Sequence, residues 1–401
     1  MAFVHINIKD LRPGMYIVHT GESWQDKPFL YAKPGLIRSE AEVADIVKQG
    51  FLEAYYDPEL SENQSPAENR SQLLTRQLSR PLPVPTILLK DELAKQEKAY
   101  EHCVEHLQRI MEDARHGQVK LSSSKPYLEN IIQSIKNNVD ALTSLAKIKV
   151  HDEYTYAHCV NVSIFSVAFG RYLGCQDQTL LTLGLAGLFH DIGKMRVPLG
   201  ILNAPRSLSA AEFELIKKHV IYGEEMLASQ VEVSADLLAG VSDHHERFNG
   251  SGYPRGKKGQ AISDFGSIIS VCDVYDALSS RRVYKEALPP NKALSIMYEL
   301  RGEAWPPGLV EHFIKMLGIY PVGTPIALTS GFKGVVVKSN PQAPLYPTVV
   351  ICRDRQGQVI APAATIDLAK QHDFQIIKAL DMNTIDFDIF ALLTGDHAQT
   401  P

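Results

Sequence analysis

The sequence predicts a mainly α protein: an all-α helical bundle core, with a small N-terminal α+β domain before it and a small β-rich C-terminal appendage after it. Three observations predict this. From His151 to about Leu317, apolar residues recur at helical spacing with short loops between the runs. Before that stretch, short alternating runs flank a Pro13-Gly14 turn. After Tyr320-Pro321 the pattern becomes short β-rich runs divided by Gly331, Asn340-Pro341 and Gly357. A chain of 401 residues has room for two or three domains, at roughly 100–200 residues each.

In order, residues 5–19 read as strand, turn and strand. Ser39 to Gln49 reads as a short helix: Ser39 can cap it, Val43, Ile46 and Val47 share one face, and Gly50 can stop it. Phe51 to Tyr56 reads as a strand. Residues 1–60 thus form a small α+β domain near the lower size limit for independent folding, with no metal or nucleophile pattern; a regulatory or docking role is expected. The polar run Ser61 to Gln72 and then Pro81, Pro83 and Pro85 make residues 61–85 a linker. Residues 86–148 carry long amphipathic helices. The first, over 87–114, places Tyr100, Cys103, Leu107 and Ile110 on one face. A second, after Ser124, runs through Leu128, Ile131, Ile132, Ile135, Val139, Leu142 and Leu145. Such stripes suit a helical hairpin, a homodimer interface, or packing on their own domain.

The bundle itself is placed at residues 149–320. Its helices are Tyr154 to Leu173, ended by Gly174, then Gln178 to Phe189, and Ser209 to Ala228, with Ser209 and Glu212 as a capping signal. Ala235 to His245, Ser263 to Leu278, Asn291 to Leu300 and Leu309 to Met316 complete it. Bundles commonly build metal sites from facing helices. The appendage, 321–394, has strands at Ile326–Thr329, Gly334–Val337, Thr348–Cys352 and Gln375–Ala379, and 395–401 reads as a tail.

Composition excludes several classes. A net charge of -5 argues against a nucleic-acid polymer as partner. Five scattered cysteines with no C-x-x-C pair read as reduced thiols of a cytoplasmic protein. No signal peptide pattern opens the chain, and no run of about 18 apolar residues predicts a membrane span.

The chemistry concentrates between Leu181 and Tyr253. His190-Asp191, His219 and His244-His245 lie there, with His158 before and Asp273 after. Imidazole and carboxylate together suit Mn, Fe, Zn and similar divalent ions. Seven candidate ligands exceed the needs of one ion and suit two, with a carboxylate between them. Two ions about 3.5–4 Å apart can activate water as hydroxide and clamp a phosphoryl oxygen. Asp273 sits in an apolar run and needs a buried partner, which a metal would supply. Lys194, one turn past the His-Asp doublet, is placed to hold phosphate, and Arg282 and Lys285 are further cations. Glu246 is a candidate to orient a ligating imidazole.

Read together, Asp152-Glu-Tyr-Thr-Tyr-Ala-His158, His190-Asp-Ile-Gly-Lys194, Ile201-Leu-Asn203, Lys218-His219, His244-His-Glu-Arg247, Gly250-Ser-Gly-Tyr-Pro254 and Asp273-Val-Tyr-Asp-Ala-Leu278 resemble the HD-GYP domain, a branch of the HD superfamily of metal-dependent phosphohydrolases. The resemblance implies hydrolysis of cyclic di-GMP to pGpG and on to GMP, lowering the messenger and favouring motility over biofilm. It implies one ion on His158, His190, Asp191 and Asp273 and another on Asp191, His219, His244 and His245, with Asp191 bridging. Iron or manganese is the expected metal, and nickel, cobalt or zinc suit the same donors. Lys194 would contact the scissile phosphate, Tyr253 would lie near the substrate, and Arg282 and Lys285 would hold its phosphates. The loop of Gly250, Gly252, Tyr253 and Pro254 would shape the pocket mouth and meet GGDEF-type diguanylate cyclases. Tyr154 stands where one subgroup has a third-metal Glu, which predicts two ions. Asn249, Ala204, Arg206 and the run Ser280-Arg-Arg-Val-Tyr-Lys285 are further departures. Two other readings are an HD phosphohydrolase for another cyclic dinucleotide or a nucleotide, and a cyclic di-GMP receptor or scaffold without turnover. The N-terminal segment, with Leu11-Arg-Pro-Gly-Met15, resembles a domain of unassigned function that precedes HD-GYP domains.

Overall fold

The computed structural model describes residues 4–19, 35–37, 39–48, 53–57, 61, 85–149, 154–230, 232–280, 287–340, 343–371, 373–382 and 384–395. Four short antiparallel strands open the chain, β1 (Val4–Asn7), β2 (Tyr16–His19), β3 (Gly35–Leu36) and β4 (Glu53–Asp57), in the order β1-β4-β2-β3. Helix α1 (Glu40–Lys48) precedes β4. Their small core is Ile8, Leu11, Ile17, Ile37 and Ala54. The two-residue β3 has no counterpart among the expected strands, being too short for an alternating pattern to register. The proposed stop at Gly50 lies outside the described residues.

Helix α2 (Leu89–Arg115) matches the first amphipathic run. The second run, expected as one helix, is two: α3 (Lys125–Asn137) and α4 (Val139–Ile148). The break is chemical. Asn138 leaves helical geometry, its side chain accepts from the Asp140 N–H as an N-cap, and its amide donates to the Ile87 carbonyl. The stripe of apolar residues survives the break because both pieces face one core. Leu93, Tyr100, Leu107, Leu128, Ile135 and Leu145 are buried in the same cluster as the helices that follow. The bundle itself therefore covers these stripes.

The bundle continues with α5 (Tyr154–Tyr172), α6 (Asp177–Phe189), the short α7 (Leu199–Leu202), α8 (Ala210–Lys217), α9 (His219–Ala228), α10 (Ala235–Asp243), α11 (Asp264–Ser279), α12 (Pro290–Glu299) and α13 (Leu309–Leu317). Ser209 and Glu212 close a capping box at the start of α8. The expected single helix from Ser209 to Ala228 is broken at Lys218. Between α6 and α7 a 3-10 turn spans Ile192–Arg196.

The C-terminal sheet has five antiparallel strands, β5 (Pro325–Leu328), β6 (Lys333–Lys338), β7 (Thr348–Arg353), β8 (Val359–Asp367) and β9 (Ile376–Ala379), in the order β8-β7-β6-β5-β9. Alternation sends Val335, Val350 and Cys352 into the bundle core and Val336, Val349 and Ile351 into a second cluster with Leu368. Strand β8 was not among the expected strands. Its sequence holds three Ala and a Pro, and among the described residues it pairs only with β7, an edge position where a missing N–H is tolerated. A last helix, α14 (Ile389–Thr394), also unexpected, puts Leu392 and Leu393 into the bundle core.

Candidate metal centre

Five helices deliver the candidate ligands to one point. His158 comes from α5, His190 and Asp191 from the end of α6, His219 from the start of α9, His244 and His245 from the end of α10, and Asp273 from the middle of α11. All but His245 are buried. They divide into two groups whose donor atoms lie within 4.8 Å of one another: Asp191 with His219, His244 and His245, and His158 with His190 and Asp273. The side chain of Asp191 stands between the groups. Its Oδ1 is 3.2 Å from His219 Nε2 and its Oδ2 is 3.3 Å from His190 Nε2 and 4.0 Å from His158 Nε2.

The ring orientations follow from helix ends. The last carbonyls of a helix have no intrahelical partner. His190, His219 and His244 each stand just past a helix end and reach back three residues to such a carbonyl. Their Nδ1 atoms lie 2.8, 2.7 and 2.7 Å from the oxygens of Gly187, Ile216 and Val241. A carbonyl only accepts, so Nδ1 donates to it and Nε2 is the nitrogen turned to the centre. The break at Lys218 leaves the Ile216 carbonyl within reach of the His219 ring.

The consequence is a set of lone pairs facing one another. The Nε2 atoms of His219 and His244 are 3.4 Å apart, and both rings have spent their proton on a carbonyl. His190 Nε2 and Asp191 Oδ1 are buried with no hydrogen-bond partner among the described residues. Orphaned buried acceptors are costly, and a cation among them removes the cost. The residues present therefore fit divalent metal ions. Burial pushes the His245 ring down to about 3, and burial and then the neighbouring imidazoles push His244 well below its usual range, so both stay neutral ligands. Burial alone would raise the Asp191 and Asp273 carboxyls. The Lys194 ammonium holds Asp191 well below the carboxylate range, and the hydrogen bond from His158 does the same for Asp273. Cys159 also lies within reach of His190 and Asp191, but burial raises its thiol far above its usual value and keeps it protonated, a poor ligand.

Lys194 reaches the rim of the cluster. Its side chain is 24% exposed and its Nζ contacts Asp191 Oδ2. Burial would lower its pKa, but the charge of Asp191 raises it above the ordinary lysine value, so it is an ammonium throughout the neutral range. Tyr253 lies against His245. Its ring centroid is 4.7 Å from that of His245 and its N–H donates to the His245 carbonyl. Gly250, at φ 84°, starts this loop, and Gly252 lies so close to the His245–Arg247 backbone that a Cβ would stand 2.3 Å from Arg247 N. Arg282 and Lys285 lie outside the described residues.

Glu246 corrects one expectation. Among the described residues it orients no imidazole. Its carboxylate accepts the backbone N–H groups of Arg255 and Lys257, at 2.8 and 2.9 Å. Asp243, also buried, accepts from Lys257 Nζ and Ser263 N. The two carboxylates on either side of His244-His245 thus pin the loop that carries Tyr253. The residue that orients an imidazole is Asp276, whose Oδ2 accepts from His158 Nδ1 at 2.7 Å. Sequence reasoning passed over it, although it is three residues after Asp273 on the same face of an apolar helix and meets the same test of a buried charge needing a partner.

Comparison with known proteins gives three family matches along the chain. A domain of unknown function, DUF3391, matches residues 4–120, an HD domain 126–306, and a KOW domain associated with HD domain 326–387. A cyclic di-GMP phosphodiesterase of Pseudomonas aeruginosa is 33% identical over 370 residues, covering 91% of this chain and 89% of its own length. A 3'3'-cGAMP-specific phosphodiesterase of Vibrio cholerae is 34% identical over 214 residues, covering 53% of this chain and 44% of its own. A solved HDG"Y"P protein of Bdellovibrio bacteriovorus superposes with a TM-score of 0.44 at 20% identity, over 79% of this chain and 99% of that one.

Proposed function

The chain belongs to the HD-GYP family of HD-domain cyclic di-GMP phosphodiesterases, and from that membership we propose how its centre works. The enzyme hydrolyses a 3'-5' phosphodiester bond of cyclic di-GMP. Two divalent ions would be held here, one by His158, His190 and Asp273 and the other by His219, His244 and His245, with Asp191 placed to serve both. When bound, such ions lower the pKa of water and neutralise a phosphoryl oxygen. The observation that carries this reading is the pair of proton-free Nε2 atoms of His219 and His244 facing each other beside the orphaned Asp191 Oδ1.

The chain's own groups do the rest. The i−3 carbonyls and Asp276 hold the imidazoles in the tautomer that ligates, so no ring turns during turnover. Lys194 brings an ammonium to the scissile phosphate and donates from Nζ to the departing 3' oxygen. Tyr253 walls the mouth, held there by Glu246 and Asp243 through the loop. Arg282 and Lys285 would hold the ligand's phosphates. Iron or manganese is the proposed metal, with nickel, cobalt and zinc suited to the same donors. The product is pGpG, GMP or both, and the fall in messenger favours motility over biofilm. The five free cysteines support a cytoplasmic setting. Among the described residues no helix is long and apolar enough to cross a membrane. The Gly250–Pro254 loop is the surface offered to GGDEF-type cyclases. A homodimer would need a surface other than the α2–α4 stripes, which the bundle covers. The N-terminal α+β unit, residues 1–60, would serve a regulatory or docking role.

Cyclic di-GMP is preferred over 3'3'-cGAMP because the match to the cyclic di-GMP enzyme spans 91% of the chain and the cGAMP match 53%. The test is metal counting on protein purified under reducing conditions, followed by chromatography of products from both dinucleotides with Mn(II) or Fe(II). About two ions and metal-dependent pGpG or GMP are expected. Bound but uncleaved cyclic di-GMP with every metal would make the protein a receptor instead.

A further inference from the structure

One buried cation has no place in the chemistry above. Lys147, on α4, has a side chain only 8% exposed. Its three N–H groups are all used. They reach Asp276 Oδ1 at 2.9 Å, Ser279 Oγ at 2.8 Å and Ser280 Oγ at 3.3 Å, and the ammonium also lies 5.1 and 4.8 Å from the ring centroids of Phe165 and Tyr275. Asp276 is wholly buried and equally committed. Its Oδ1 also accepts from Asn161 Nδ2 and Ser280 Oγ, each at 3.0 Å, which leaves Oδ2 for His158 Nδ1. Asn161 is held in turn by the Tyr100 hydroxyl on α2, at 2.7 Å.

We propose that Lys147 is a positioning residue of the metal centre: acting through Asp276, it fixes the ring of His158 and so sets the affinity of the ion held by His158, His190 and Asp273. The inference rests on the reading of that cluster as a metal site. Stability alone does not account for the ion pair, because a buried pair is often no better than apolar residues of the same volume. Geometry does. One carboxylate oxygen is saturated by three donors, so the carboxylate cannot rotate, and its other oxygen meets His158 in one direction only. Two of those anchors come from α4 and α5, the third from the end of α11, so the ring is fixed by three helices at once. Outer partners of ligating histidines typically change metal affinity by about 10–100-fold. Lys147 acts one step further out, which points to the lower end of that range, about tenfold.

The probe is Mn(II) alone, titrated into full-length metal-free protein against a chelator and followed by electron paramagnetic resonance. Wild type should fill two sites and show coupled ions. Lys147→Met should bind one ion as wild type does and the other about tenfold more weakly, so that a mononuclear signal replaces the coupled one at intermediate free Mn(II). Lys147→Arg, which keeps charge and donors, should recover part of the lost affinity. Asp276→Asn, nearly the same shape, should show the same site-selective loss and serves if Lys147→Met does not fold. A purely structural role would lower the melting temperature of the metal-free variants yet leave both ions at wild-type affinity or weaken both alike, and that result overturns the proposal. Wild type that binds no Mn(II) refutes the metal-centre reading itself and the proposal with it.

Discussion

Replacing Gly193 by alanine tests how tightly the centre is built. Gly193 belongs to the 3-10 turn between His190-Asp191 and Lys194, and that turn lies directly on α9. A Cβ there would stand 1.8 Å from the His219 carbonyl oxygen, 2.4 Å from Gly223 N and 2.8 Å from the His219 carbonyl carbon. All three are backbone atoms, so no rotamer change relieves the clash. Restoring ordinary contact at 3.4 Å requires the turn and α9 to part by about 1.6 Å. Metal–ligand distances tolerate roughly 0.2 Å, so His219 and Asp191 can no longer serve the same ion. Overpacking of this kind costs about 1–3 kcal/mol, which a chain of this size survives. Gly193→Ala should therefore fold, lose one of two ions by elemental analysis, and hydrolyse cyclic di-GMP at least ~100-fold more slowly, as expected for a misplacement beyond 1 Å. Thermal melting by circular dichroism separates this from unfolding. A folded Gly193→Ala protein with two ions and wild-type turnover would falsify the argument that this contact sets the spacing of Asp191 and His219.

Three other outcomes follow from the same geometry. Asp191→Asn should abolish hydrolysis and reduce metal content, since one neutral amide oxygen cannot serve both groups; full metal occupancy with activity would remove Asp191 from between the sites. Metal binding should release a proton from His158. Burial alone would lower its pKa, but hydrogen bonds to Asp273 and Asp276 raise it to about 9, so the metal-free ring is cationic at neutral pH. Apparent affinity should then rise by up to roughly tenfold per pH unit towards pH 9 and flatten above it. The sign reverses for the metal-free fold: stabilisation by the His158 cation is complete below its unfolded pKa and is lost as pH rises through about 9. Calorimetry in buffers of different ionisation enthalpy would show no buffer dependence if the ring were already neutral. Glu246→Ala leaves two backbone N–H groups without their acceptor, at about 1–3 kcal/mol each where water cannot reach them. It should raise KM several-fold with metal content unchanged, and an unaltered KM would show that the loop is held some other way.

The chain by itself determined the class of helix-rich fold and the identity of the candidate ligands, because both are written in local spacing. Apolar residues at helical intervals gave α5, α6, α11 and α13 to within a residue or two at either end. The His-Asp and His-His doublets are short-range patterns that no fold is needed to see. Only the tertiary structure decided how those residues act. The helix break before His219, which sets its ring against the Ile216 carbonyl, is announced by nothing in the residues at 216–219. The role of Glu246 went to Asp276 because a carboxylate binds the donor it faces, and that facing is set by the crossing of α5 and α11, 115 residues apart at Asn161 and Asp276. Lys147 left no trace in the sequence at all. It ends an ordinary apolar helix like many surface lysines, and only the packing of α4 on the bundle buries its ammonium against Asp276, Phe165 and Tyr275. Helical periodicity is carried by neighbours in the chain; burial and hydrogen-bond direction are carried by neighbours in space, and those come from the fold as a whole.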